Sequence, residues 1–171
     1  FNEARVAFER QFFKGFSQKA SFRYWTFSPT YNFGYPENPD DANSAILETF
    51  EASEVTLETK YARDELFLQN DNERYSLGAD RWPIITLRYT HGFSGVFNSD
   101  FTYDKLKLTI NKKIKTGPLG KGYLTLTAEN IFNTLPYPLL AFHLGNQSPL
   151  YSPITYNLMN YGEFVSDHYM A

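Results

Sequence analysis

Two stretches in the C-terminal half of the chain, residues 103–114 and 123–132, alternate apolar and polar side chains almost without interruption. In the first stretch Leu106, Leu108 and Ile110 fall on one face, and polar residues fall on the other. Successive side chains of a β-strand point to opposite faces of the sheet, so the pattern predicts two strands with a single apolar face. The Gly-containing connection between them predicts an antiparallel hairpin.

The same alternation recurs in four other stretches, residues 5–13, 21–27, 55–61 and 83–91. Several of these predicted strands reach the ~9–11 residues that a tilted strand needs to cross a bilayer, whereas globular strands average ~5–6 residues. Residues 40–54 could support one short helix, although their apolar spacing is poor. The alternation stops at residue 133, so residues 133–171 are predicted to form an irregular aromatic and polar segment of a single β unit.

The predicted connections fall into two lengths. Residues 14–20 and 115–122 are short, whereas residues 28–54, 62–82 and 92–102 are longer and polar. Outer-membrane barrels join their strands by short periplasmic turns and longer outer loops. The pattern therefore favours an all-β, antiparallel up-and-down transmembrane β-barrel, and a soluble β-sandwich with its apolar face turned inward is the alternative.

Composition narrows the class of protein. The 171 residues carry a formal charge of −3 and show no Lys/Arg cluster, which argues against a nucleic-acid partner. No apolar run approaches the ~18 residues of a transmembrane helix. Aromatic residues make up 18% of the chain, and aromatics favour strands and also form the interfacial girdles of membrane barrels.

In a barrel, the two faces of these strands would meet lipid and lumen. The apolar positions expected to face lipid are Leu87, Tyr89, Leu106, Leu108, Ile110, Leu124 and Leu126. The polar positions expected to face the lumen are Glu58, Lys60, Arg88, Lys105, Lys107 and Glu129. Opposite charges among them would pair across the lumen or bias the passage of solutes. The solvated face of a soluble strand would show the same pattern.

Candidate catalytic chemistry is confined to Ser166 and His168, which could meet because alternate residues share one face of a strand. No GxSxG elbow accompanies them, so a hydrogen-bonding role in the irregular tail is the competing interpretation. The tail network would include Asn157, Asn160, Glu163 and Asp167. The three histidines lack metal-type spacing, and neither a metal nor a cofactor is expected.

Several motifs of the second half resemble one family. They are Arg81-Trp82-Pro83, the PYPLL run at 136–140, H-x-GNQ at 143–147 and YNLMNYGEFVSDHY at 156–169. The last ninety residues resemble a Bacteroidota outer-membrane β-barrel family of unknown function, in which the barrel commonly follows a carboxypeptidase-regulatory-like domain. The resemblance implies that the chain is an internal piece of a larger barrel.

Together these observations favour a Gram-negative outer-membrane β-barrel protein with a non-enzymatic role in transport, envelope assembly or complex scaffolding. Its expected partners are outer-membrane lipid or lipopolysaccharide and a larger membrane complex, at the cell outer membrane. Two alternatives stay open. One is an outer-membrane hydrolase that modifies lipid or lipopolysaccharide, and the other is a soluble β-sandwich carbohydrate-binding module.

Overall fold

The fold is dominated by one large antiparallel sheet, seen in a computed structural model that describes residues 2–28, 34–36, 43–71, 73–148, 150, 155–160 and 164–171. The sheet has seven strands in the order β1-β2-β5-β8-β9-β10-β15. These strands are β1 (Asn2–Phe13), β2 (Phe16–Phe27), β5 (Phe50–Tyr61), β8 (Ile84–Phe93), β9 (Tyr103–Lys115), β10 (Lys121–Ile131) and β15 (His168–Met170). Every neighbouring pair is antiparallel.

The described residues also form four smaller two-stranded sheets. Their strands are β3 (Tyr35–Pro36) with β4 (Ile46–Leu47), β6 (Glu65–Asn70) with β7 (Glu73–Ala79), β11 (Ala141–Phe142) with β14 (Val165–Ser166), and β12 (Gly145–Asn146) with β13 (Tyr156–Asn157). Only the last pair is parallel. Within the described ranges, no helix is long and apolar enough to cross a membrane.

The antiparallel all-β fold that the sequence predicts is confirmed, but the sheet is open. Its two edges are β1 and β15, and these strands are not paired with each other among the described residues. The described strands alone therefore do not close the barrel that the alternation predicts. They also do not form two large sheets packed face to face, which the β-sandwich alternative would require.

Several predicted boundaries differ from the observed ones. Strands β1, β2 and β5 begin at Asn2, Phe16 and Phe50, three to five residues earlier than the alternation suggested. The short helix suggested for residues 40–54 is wrong for its described part, where residues 43–54 contain a turn, β4 and the start of β5. The connection predicted at 62–82 contains the β6–β7 hairpin, whose strands are too short to produce a strong periodic signal.

The connections define two ends of the sheet. The turn end carries the connections at residues 14–15, 62–83 and 116–120, and the loop end carries those at 28–49, 94–102 and 132–167. The structure places the connection after β5, one of the three longer ones, at the turn end, beside the two short turns.

The main core lies at the loop end, where residues 135–140 fold back over one face of the sheet. Leu135 and Leu139 pack there against Phe50, Tyr103 and Ile131, which the sheet contributes. Trp25, Phe27 and Leu140 border this cluster. The prolines of this segment cannot donate ladder hydrogen bonds, so the segment does not join the sheet as a strand. It lies over the sheet instead. We call residues 135–140 the covering segment.

Candidate functional site: the charged face of the sheet

Residues that stand directly opposite in an antiparallel ladder share a face, so the strand register defines what each face carries. One register row crosses all seven strands with polar side chains. It contains Glu9, Lys19, Glu58, Arg88, Lys107, Glu129 and Tyr169, in that spatial order. We call this the charged row, and the face that bears it the charged face.

All six residues expected to face a lumen lie on this one face. Glu58, Arg88, Lys107 and Glu129 are members of the charged row. Lys60 and Lys105 lie two positions along β5 and β9, and therefore on the same side. The geometry brings them together as one surface, while their exposure to a lumen stays a prediction.

The charges of the row are paired between neighbouring strands. Arg88 Nε lies 2.8 Å from Glu58 Oε2. Lys107 Nζ lies 2.9 Å from Glu129 Oε2, and the same oxygen accepts a hydrogen bond of 3.0 Å from the Tyr169 hydroxyl. Cross-strand pairs of opposite charge stabilise a sheet, so these contacts link β5 to β8, and β9 to β10 and β15.

A second, more buried group lies between the charged row and the covering segment. Glu54 is 7% exposed, and its two oxygens meet Arg23 Nη1 at 3.3 Å and the Tyr103 hydroxyl at 2.7 Å. A carboxylate this far from water requires such partners. Lys105 instead donates to the backbone carbonyl of Leu139 at 2.6 Å, which anchors the covering segment to β9.

The covering segment and the charged face enclose a cavity of about 320 Å³. Its charged lining consists of Arg5, Arg23, Arg88, Lys105, Lys107, Glu54 and Glu129. Cations therefore outnumber carboxylates in the lining, although the chain as a whole carries a formal charge of −3. The arrangement can bind or orient a polar solute, and it presents no nucleophile paired with a general base.

Most of the apolar face of the same sheet is uncovered; at the loop end, Phe97 packs against Phe22 and Tyr24 on this face. Leu87, Tyr89, Leu106, Leu108, Leu124 and Leu126 on this face are all between 37% and 46% exposed. On β1, which lies at one edge, Val6 and Phe8 reach 72% and 68%. No described element packs over these side chains as the covering segment does on the opposite face. All seven positions expected to face lipid, including Ile110, lie on this side.

The candidate pair Ser166 and His168 is not formed. Ser166 Oγ lies 3.2 Å from the Nε2 atom of His143, while His168 Nδ1 lies 2.6 Å from Asp167 Oδ1. The reason is that residues 166 and 168 belong to different strands, β14 and β15, and so do not follow one alternation. The His143–Ser166 contact lacks a carboxylate partner among the described ion pairs and hydrogen bonds, and it gives the hydrolase alternative no triad.

The described residues of the predicted tail network make hydrogen bonds to residues outside that set. Asn157 Oδ1 accepts a hydrogen bond of 2.9 Å from Asn146, and Asn160 Oδ1 accepts one of 3.2 Å from Gln147. The backbone carbonyl of Asp167 accepts from the amide of Ile131 at 2.7 Å, so this residue extends the β10 ladder. Glu163 lies outside the described residues. In the described part of the chain, no group of three acidic, His or Cys side chains could hold a metal ion.

The sequence prediction missed several members of the charged face. Lys19 shares that face with Ser17, Ser21 and Arg23 along β2, but the strand was predicted to begin only at Ser21. Glu54 fell in the region considered for a helix, and Tyr169 pairs through a strand of three residues that has no periodic signal. An earlier start for β2 was readable from the Ser17-Lys19-Ser21-Arg23 alternation, whereas the placement of Tyr169 was not.

Asp80 marks the turn end of the sheet, outside the long strands. It bonds Lys113 Nζ at 2.8 Å and Lys115 Nζ at 3.0 Å, both from the end of β9. These two hydrogen bonds hold the pKa of Asp80 at about 2, below its ordinary value of 3.8. Asp80 is therefore ionised wherever the protein meets neutral water.

The fold and this site define an all-β protein built on one broad antiparallel sheet, with one face charged and partly covered and the other apolar and exposed. A comparison with family profiles matches residues 4–170 to the family of unknown function DUF5686, C-terminal domain. The chain belongs to that family. Searches of curated proteins and of solved structures returned no match.

Proposed function

We propose that this chain forms part of the wall of an outer-membrane β-barrel with a non-enzymatic role in transport, envelope assembly or scaffolding of a membrane complex. The observation that carries the proposal is the inverted sheet. Its apolar face is exposed, while its charged face is partly covered by the covering segment. Water-soluble proteins bury their apolar face, and membrane barrels turn it toward lipid.

The length of the long strands supports this proposal. β1, β2, β5, β8, β9 and β10 contain between 10 and 13 residues. A tilted strand needs ~9–11 residues to cross the hydrocarbon core. Strands of globular proteins are usually shorter, so this length favours strands that span a layer of that thickness.

The limits of the apolar face on β9 also fit a membrane. Its apolar positions run from Leu106 to Ile110, and the next positions on that face are Asp104 and Lys112. At ~3.4 Å per residue and a tilt of ~40°, the distance between the two polar limits corresponds to roughly 21 Å across the layer, close to the ~25 Å apolar band of outer-membrane barrels.

The charged row fits the interior of such a wall. Ionic side chains facing a water-filled or plugged lumen are stabilised by pairing with one another, as Arg88 pairs with Glu58 and Lys107 with Glu129. Residues 135–140 would then lie inside the lumen. The Bacteroidota family named above and the outer-membrane location are part of this proposal.

Single-cysteine labelling tests the direction of each face, because the chain contains no cysteine of its own. Leu108→Cys and Thr109→Cys are adjacent on β9 and point to opposite faces. Each is labelled with an environment-sensitive fluorophore in the folded protein in vesicles. We expect a lipid-borne quencher to act on the label at position 108 and an aqueous quencher to act on the label at position 109.

A fractionation of the protein provides the complementary test. We expect extraction to require detergent and the electrophoretic mobility to change on heating, as membrane barrels show. Full solubility in buffer without detergent, together with aqueous quenching of both labels, would overturn the membrane proposal. The fold itself would be unaffected by that result.

A further inference from the structure

The two ends of the sheet differ sharply in their cationic residues. The connections at the loop end contain no Lys or Arg over residues 28–49, 94–102 and 132–167, although they include several acidic residues. The turn end contains Lys14, Arg63, Arg74 and Arg81 in its connections, and Lys112, Lys113, Lys115 and Lys121 at the adjoining strand ends. Every connection cation thus lies at one end.

Three of these cations line one depression at the turn end. Lys14, Arg63 and Arg81 surround a cavity of about 640 Å³ together with Asp64 and Trp82. The guanidinium of Arg63 lies 5.4 Å from the centre of the Trp82 ring. We call Lys14, Arg63, Arg81 and Trp82 the cationic rim.

The acidic residues nearby are already engaged. Asp64 accepts hydrogen bonds from the backbone amides of Arg81 and Trp82 at 2.8 and 3.2 Å. Asp80 is held by Lys113 and Lys115. Among the residues that the structure describes, no carboxylate lies within ion-pair distance of Lys14, Arg63 or Arg81. These three cations therefore form no ion pair among the described residues, although the Asp64 carboxylate lines the same depression.

The cationic rim adjoins the edge of the apolar face. Lys112, which limits that face on β9, donates a hydrogen bond to the backbone carbonyl of Arg81. Phe16 and Tyr61 stand opposite each other at the same end of the apolar face. Aromatic rings with cationic side chains beside them are the groups that settle at the headgroup level of a bilayer.

We propose that the cationic rim binds the phosphate groups of anionic phospholipid headgroups. Guanidinium groups form paired hydrogen bonds with phosphate oxygens, and each Lys or Arg at a membrane surface is attracted to anionic lipid. The inference rests on the membrane location proposed above. It adds that the turn end of the wall selects the lipid, through the residues of the cationic rim.

The test measures lipid selectivity at the protein surface. The protein is folded into phosphatidylcholine vesicles that contain trace spin-labelled phosphatidylglycerol or spin-labelled phosphatidylcholine, and the motionally restricted fraction of each lipid is measured. We expect phosphatidylglycerol to associate about threefold more strongly at low salt, and the preference to decline as salt screens the charges. The double variant Arg63→Gln with Arg81→Gln should bring the ratio near one.

Two matched variants separate charge from general damage. The double variant Arg63→Lys with Arg81→Lys keeps both charges and should keep most of the preference. Glu48→Gln removes a charge from the connection at the loop end and should leave the ratio unchanged. A ratio near one in the unmodified protein, or an undiminished preference in the glutamine variant, would overturn the proposal.

Other phosphate sources are distinguished by competition. Inorganic phosphate added at matched ionic strength should not abolish the preference, and its doing so would assign the rim to a free anion. Displacement of phosphatidylglycerol by lipid A at equal phosphate concentration would equally overturn the phospholipid assignment. Failure to fold into pure phosphatidylcholine vesicles would count against the membrane proposal itself, because that step does not involve anionic lipid.

Discussion

The two faces of the seven-stranded sheet are built by the same strands but differ in what stabilises them. On the charged face, Glu54, Thr90 and Ser21 are buried and ionic pairs join neighbouring strands. On the apolar face, leucines of β8, β9 and β10 are exposed to whatever surrounds the protein. The described chain therefore supplies packing partners for its polar side and leaves most of its apolar side to the environment.

In this sheet, therefore, the polar face is the better buried of the two and the apolar face is the more exposed. A sheet in water gains stability chiefly by removing apolar area from solvent. Here the buried cluster at the loop end covers only one end of the charged face, through Phe50, Tyr103 and Leu139. Contact with lipid would remove the free-energy cost of exposing the apolar face to water. This expectation can be tested one position at a time.

The largest expected effect comes from placing a charge on the apolar face. Leu108→Arg should destabilise the vesicle-folded protein by about 2–4 kcal/mol, because a cation near the middle of a bilayer lacks water. Thr109→Arg, on the charged face of the same strand, should cost much less. Denaturant titration in vesicles measures both. Equal and small effects, within about 0.5 kcal/mol, would mean that both faces meet water.

A smaller effect is expected inside the packed end of the charged face. Gly92 stands opposite Tyr103, and a Cβ atom at position 92 would overlap the Tyr103 ring. Gly92→Ala should therefore cost about 1–3 kcal/mol through overpacking. The matched control is Gly122→Ala in β10, where a Cβ atom would meet only the Ile114 carbonyl oxygen at 3.9 Å.

The same denaturant titration checks this prediction and extends the comparison. Gly92→Ala should cost about the same in lipid and in detergent micelles, because its clash is internal, whereas the cost of Leu108→Arg should depend on the hydrocarbon that surrounds position 108. If Gly92→Ala were as stable as the control, the contact between the Tyr103 ring and the β8 backbone would not exist in solution.

Much of the sheet was predictable because its strands are long and alternate strictly. Leu106, Leu108 and Ile110 mark a face by period alone, and the six predicted charged positions fell on the opposite face for the same reason. Strand starts were less predictable. Residues such as Phe16 and Phe50 sit beside turns, where apolar residues occur on both faces and the period is lost.

The covering segment and the end of the chain were not predictable from local pattern. The position of residues 135–140 depends on contacts with Tyr103 and Lys105, which are more than thirty residues away. Likewise Ser166 meets His143 instead of His168, because β14 pairs with β11 and β15 pairs with β10. Such pairings arise from tertiary structure, and a rule of alternation within one strand cannot supply them.

The smallest expected effect lies at the turn end, where an exposed ion pair can be titrated. The pKa of Asp80 is lowered from 3.8 to about 2 by Lys113 and Lys115. A carboxylate with a lowered pKa in the folded state stabilises that state above its unfolded pKa, and this contribution is lost as pH falls from about 4 toward 2. Asp80 is exposed, so its contribution to stability should be slight and should shrink in high salt.

The measurement compares the unfolding midpoints of the unmodified protein and Asp80→Asn between pH 6 and pH 2. The two midpoints should differ at pH 6 and converge below pH 3, and a difference that did not change with pH would show that Asp80 acts through hydrogen-bond geometry instead of charge.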